Sequence, residues 1–194
     1  MKIAVKKIAN ADIEAQCHHA SAELIEDKKA IILDYLNQTC RIILPELEVI
    51  PLDRQMAIQP REKLLILHYL INADGSPISG NKLTYKEIPG GVTYFPTFHK
   101  RTIKPLVENF GQQTQRILDA AAKLGGRPAE YGDAAVNIDA FKKVPLTFVL
   151  WQGDEEFAAE GNILFDSSIC GYLSSEDITV LCEIVSWKLV KVAR

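Results

Sequence analysis

In the stretch VLWQGDEEFAAEGNILFDSS, residues 149 to 168, an apolar run ending at Trp151 breaks at Gly153 into three acids, Asp154, Glu155 and Glu156. A second apolar run then ends at Asp166. Adjacent carboxylates repel one another unless they diverge, find cations or keep a proton. If the two apolar runs pair, Asp154, Glu156 and Asp166 converge on one another. Such a cluster suits general acid–base work or oxygen ligation of a hard cation. A calcium loop of the EF-hand type is excluded. Counting from Asp154, Gly161 falls eighth and Phe165 twelfth, where that loop needs glycine sixth and an acid twelfth. The competing expectation is a solvated turn whose acids cap backbone N–H groups or pair with Arg101 or Lys143.

Among the four histidines, His99 is the strongest candidate for chemistry: it sits between Phe98 and the basic pair Lys100-Arg101, close to Tyr94 and Phe95. His68 lies in an apolar helical run and reads as a core histidine. Cys17, His18 and His19 are ligand-type side chains, but successive helical residues point about 100° apart and do not all face one metal. One of them alone remains a possible axial ligand to a bound macrocycle, with a helix holding its histidines in water as the alternative. Cys17, Cys40, Cys170 and Cys182 are scattered without a C-x-x-C pair and read as free, mostly buried thiols. GSPISGNKL approaches a phosphate loop, but Asn81 stands where the lysine belongs and Leu83 lacks the magnesium-binding hydroxyl. No nucleophile elbow, zinc-protease helix or dinucleotide fingerprint occurs.

These residues must be positioned by a chain of 194 residues, a length that closes one core, so a single domain over 1–194 is expected. With 47% hydrophobic residues and a net charge of -3, the chain lacks the basic excess that nucleic acid demands. The N-terminus has no apolar core of signal-peptide length and LLILHYLI is too short to span a bilayer, which points to the cytoplasm and away from membranes.

Residues 11 to 28 read as a helix behind Asn10. AIILDYL, CRIIL and LEVI read as a small antiparallel meander. Pro60 opens a helix with Leu64, Leu67, His68 and Ile71 on one face. A strand over 82–88 precedes two helical pieces separated at Gly111, the second stopped by Gly125-Gly126. Strands AAVNIDAF and LTFVLWQ follow. Ser174 or Ser175 then caps a long C-terminal helix with Ile178, Leu181, Val185 and Leu189 as its buried stripe. Strands mixed with helices, without regular βαβ alternation, define an α+β class with an antiparallel sheet of short strands.

From about residue 60 onward, LHYLINADGSPISGNKLTYKEIPGGVTYFPTFHKRTIKPLVENFG, LGGRPAEYGDAA and VLWQGDEEFAAEGNILFDSS resemble an uncharacterised domain-of-unknown-function family of bacteria and archaea. The family is prominent in anaerobes and sometimes fused to a cysteine-rich iron–sulfur domain, whose cysteine run this chain lacks. The resemblance implies context and no activity. The expected role is a small-ligand or cofactor-binding accessory protein of anaerobic metabolism, with a corrinoid or other tetrapyrrole as one ligand class and a metabolic protein as a possible partner. One alternative is an acid/base or hard-cation enzyme using the 154–166 carboxylates, and another is a protein-interaction domain without a small-molecule site. The expected ligand residues are Tyr94, His99, Arg101, Trp151, Asp154, Glu156 and Asp166. Gly153 would let the chain turn so that Asp154 and Glu156 lean toward Asp166 and Arg101, raising the pKa of at least one carboxyl unless a cation holds them ionised.

Overall fold

The computed structural model describes residues 12–25, 27–53 and 57–194. Helix α1 (Ile13–His19) begins at Asp12, whose carboxylate accepts the Glu14 and Ala15 N–H groups. The expected helix over 11–28 is therefore too long. After α1 the chain swings to φ +50° at Ser21 and continues as strand β1 (Glu23–Ile25), whose backbone finds partners in the next strand. The expected Asn10 cap lies outside the described residues.

Strand β1, β2 (Ala30–Tyr35), β3 (Gln38–Ile43) and β4 (Glu48–Pro51) form an antiparallel meander in chain order. Leu36 and Asn37 close the β2–β3 hairpin at φ +48° and +60°, a turn whose twist matches that of the strands. The Leu36 N–H donates to the Ala140 carbonyl at 3.0 Å, which fastens this meander to the second sheet.

Helix α2 (Pro60–Asn72) carries Pro60 in its first turn as expected, but its buried stripe is differently phased. Leu65, Ile66, Leu67, Tyr69 and Leu70 are buried, whereas Leu64 is 39% exposed. His68 and Ile71 are half-buried. The run is apolar on too many sides for period alone to choose the inner face.

The second sheet runs β5-β9-β8-β7-β6, all antiparallel, from β5 (Lys82–Thr84), β6 (Arg127–Ala129), β7 (Ala134–Phe141), β8 (Val144–Trp151) and β9 (Glu160–Asp166). The fold is thus α+β with two antiparallel sheets where one was expected. The strand anticipated over 82–88 stops at Thr84, because Glu87 takes the Thr84 N–H at 2.7 Å and curls Tyr85–Glu87 into a tight turn.

Helix α3 (Gly91–Phe98), a single wide π turn (His99–Ile103) and helix α4 (Lys104–Phe110) follow one another without a break. Pro105 offers no N–H to the Arg101 carbonyl and its ring would press on it, so the wider turn just ahead of the proline relieves that clash. Helix α5 (Arg116–Ala122) ends as expected at Gly125 (φ +74°), with the Gly126 N–H returning to the Ala121 carbonyl at 2.8 Å.

Helix α6 (Ser175–Val192) is capped by Ser174, which accepts the Asp177 N–H, and buries Ile178, Leu181, Val185 and Leu189. Even-numbered β8 residues Leu146, Phe148 and Leu150, with Ile163 and Phe165 of β9, belong to the core shared with α4, α5 and α6. Tyr69 of α2 stacks on Phe141 of β7 at 4.0 Å between ring centroids, joining helix to sheet, and Tyr85 of the turn after β5 stacks on Phe98 of α3 at 3.8 Å. No described helix is long and apolar enough to cross a membrane.

Candidate functional site

Strands β8 and β9 do pair, and the pairing separates the acids. Trp151 faces Glu160 at one end of the ladder while Asp166 pairs with Lys82 at the other. Seven residues of extended strand put about 20 Å between the GDEEF turn and Asp166. The expected convergence of Asp154, Glu156 and Asp166 is corrected accordingly, and with it the expected raised carboxyl pKa.

Asp154 is a capping residue. Its carboxylate accepts the Phe157 N–H at 2.7 Å and the Glu156 N–H at 2.8 Å, and those two bonds hold its pKa below the usual carboxylate value. The Asp154 N–H in turn donates to the Phe157 carbonyl at 2.9 Å. Glu155 and Glu156 point into water. Gly153 serves a close approach of backbone to backbone and does not aim the acids at Asp166 or Arg101. Its N–H reaches the Gly111 carbonyl at 3.2 Å, and a Cβ there would stand 2.7 Å from the Ala159 nitrogen.

Asp166 is buried and fully engaged. It accepts the Gly80 N–H (2.7 Å), the Ser79 N–H (3.0 Å) and hydroxyl (3.1 Å), and the Ser168 N–H (3.0 Å) and hydroxyl (2.7 Å). Burial works against ionisation, but these donors outweigh it and keep the carboxyl well below its usual range. The near phosphate loop is therefore wrapped around a carboxylate of the protein itself. Lys82 donates to Thr147 at 3.0 Å, and Thr147 to Asn137 at 2.6 Å, a polar line across the sheet.

Arg101 goes to none of the three acids of the GDEEF turn. Its guanidinium meets Glu183 of α6 at 2.6 Å, with Arg61 on the same carboxylate at 3.7 Å, and its other amino group donates to the Tyr94 hydroxyl at 3.5 Å. Trp151 belongs to another surface again. Its strand neighbour Leu150 pairs with Gly161, which abuts Val107 and Ile103 on the helical side, so alternation sends Trp151 to the far face beside Gly132.

His99, by contrast, opens onto a groove of about 690 Å³ between the π turn with α4 on one side and residues 158–161 on the other. Phe95 and Val107 supply apolar wall, and Ala158, Ala159 and Gly161 line the opposite side. The His99 ring lies 5.9 Å from that of Phe95, and the Lys86 ammonium sits 4.3 Å above the Phe95 ring. Lys104 reaches the rim, 3.6 Å from Glu108. A Cβ at Gly161 would come within 3.1 Å of Val107, so the small residues after GDEEF keep the groove open and the strand close to α4. Of the seven expected ligand residues, His99 lines this groove; Lys86, Lys104 and the Ala-Ala-Glu-Gly wall were not among them, and small residues carry no chemical signal of their own.

The remaining ligand-type residues do not gather. Cys17 is buried, which pushes its thiol up to about 11, while His18 is exposed and His19 lies against Gly75. Among the described residues no three His, Cys, Asp or Glu side chains form a metal-holding group.

The arrangement defines an α+β protein in which two sequence blocks, FHKRTIKPLVE and GDEEFAAEG, face one another across a groove. A family model described as a domain of unknown function, DUF3786, matches residues 12–187, and the chain belongs to that family. No curated protein and no solved structure matches the chain.

Proposed function

We propose that the protein is a small-ligand-binding accessory module, and that its ligand has an apolar body and at least one anionic group. The observation that carries this reading is the His99 groove, with apolar walls from Phe95, Val107 and Ala158–Ala159 and cations from Lys86 and Lys104 at its edge. Glu108 and Glu160 are its acids, and Glu108 lies 3.6 Å from Lys104, which leaves Lys86 over the Phe95 ring as the cation outside that pair. Such sites combine mostly apolar lining with a few placed polar groups. A tetrapyrrole bearing carboxylates has that chemistry, with His99 free to meet its central metal. The resemblance to a family prominent in anaerobes supports a place in anaerobic metabolism, and the absence of a long apolar helix among the described residues is compatible with the cytoplasm. The acid–base enzyme reading loses its convergent carboxylates.

The test is the absorption spectrum of the protein as purified, followed by titration with iron protoporphyrin IX as the probe. The proposal expects a saturable Soret shift that weakens in Lys104→Ala and changes its ligation signature in His99→Ala. A colourless protein whose probe binding ignores both substitutions overturns it.

A further inference from the structure

On the other side of the π turn lies a second groove of about 610 Å³, walled by Pro96, Pro105 and Trp187 and edged by Lys100 and Arg101. Trp187 is 46% exposed and Tyr94, close by, 43%. Glu183 is the acid in this groove, and Arg101 and Arg61 already share it. The face is therefore cationic on a chain whose net charge is -3. Trp187 and Arg101 line the groove and Tyr94 stands beside it, 3.5 Å from Arg101; Trp, Tyr and Arg are the residues enriched in interface hot spots.

The same chain carries a surface of the opposite character. In the GDEEF turn the Asp154 carboxylate is spent on the Glu156 and Phe157 N–H groups, which fixes the turn and thrusts Glu155, Glu156 and Phe157 outward. Phe157 is 69% exposed. A rigid acidic turn with a protruding ring loses little freedom on docking. Its carboxylates complement Lys100 and Arg101, and its ring matches the Pro96, Pro105 and Trp187 wall.

We infer that the groove beside Trp187 receives the Glu155–Phe157 turn of a second copy of this chain. The contact joins two different surfaces, so it closes into a ring or a reciprocal dimer only when the geometry returns on itself. It uses neither His99 nor Lys104, so its failure and that of the ligand reading are separable.

The test is light scattering with size-exclusion chromatography across a concentration series, on the wild type and on Lys100→Glu, Glu155→Lys and Phe157→Ala. All three positions are exposed, and a thermal melt confirms that each variant folds. Wild type should associate with rising concentration and less so at high salt. Each substitution should weaken association by roughly tenfold or more. An equimolar mixture of Lys100→Glu and Glu155→Lys should associate again, because each groove then finds a turn of opposite charge. A monomeric wild type at every concentration, an assembly indifferent to the substitutions, or defective variants that the mixture does not rescue would each overturn the inference.

Discussion

The Asp166 carboxylate accepts the Gly80 backbone N–H at 2.7 Å, two residues 86 apart in the chain. This bond and its neighbours close the 79–81 loop onto the start of the 167–171 turn, so Asp166 is the keystone of one sheet corner. Asp166→Asn turns an amide NH₂ toward groups that are themselves donors, and the expected loss is about 1–3 kcal/mol in urea melts at neutral pH. The sign of the pH dependence follows from the direction of the shift. A carboxyl whose folded pKa is depressed contributes fully above its unfolded pKa and loses that contribution as pH falls through the folded one. Wild type should therefore weaken from about pH 5 downward, and Asp166→Asn should weaken less over the same range. Micromolar ATP should show no binding to either protein by equilibrium dialysis.

Much of the fold was legible because caps and patterns are local. Ser174 ahead of two acids, Pro60 in a first turn and Gly125 past an alanine-rich helix each announce an element within a few residues of sequence. The phase of α2 was not legible, because LLILHYLI is apolar around the whole helix and only the tertiary neighbours choose Leu65 over Leu64. Long-range polar partners were also hidden. Nothing near Arg101 in sequence marks Glu183, 82 residues away, as its carboxylate. The acids of the GDEEF turn and Asp166 looked convergent because the runs between them do pair, but antiparallel pairing places the turn and the strand's far end at opposite edges of the sheet.

The C-terminal helix tests the packing. Leu181 is fully buried at the centre of α6, so Leu181→Ala should cost about 2–5 kcal/mol. A loss below about 0.5 kcal/mol, the level of an ordinary surface change, would contradict the packing.

Glu62 is buried at 3% exposure, where Lys188 lies 3.0 Å and the Tyr35 hydroxyl 3.2 Å from its Oε1. Its other oxygen accepts the Gln59 N–H at 2.9 Å. Helices α2 and α6 and strand β2 are thus tied through one carboxylate. Glu62→Ala strands the Tyr35 hydroxyl and the Lys188 charge, and should cost about 2–4 kcal/mol. Lys188→Met in the same background should recover part of that loss, because it removes the unpaired cation; denaturant melts of the single and double variants read the difference.

Asp154 and Glu156 stand two residues apart in one exposed turn and should behave differently. Asp154 accepts two backbone N–H groups and its folded pKa is lowered by them, whereas Glu156 projects into solvent. Asp154→Ala removes the oxygen that accepts both N–H groups, so the turn should loosen and the melting temperature fall; Glu156→Gln should leave it unchanged. Because Ala158 and Ala159 continue from that turn into the wall of the His99 groove, loosening it should also weaken binding of iron protoporphyrin IX, through wall position and not through charge. Asp154→Asn separates the two causes, since its amide oxygen still accepts from both N–H groups while the charge is gone. Binding retained in Asp154→Asn and lost in Asp154→Ala identifies a positioning role. Binding lost equally in Asp154→Asn and Glu156→Gln, with both melts unchanged, would return the acids to the ligand and overturn the assignment of Asp154 as a cap alone.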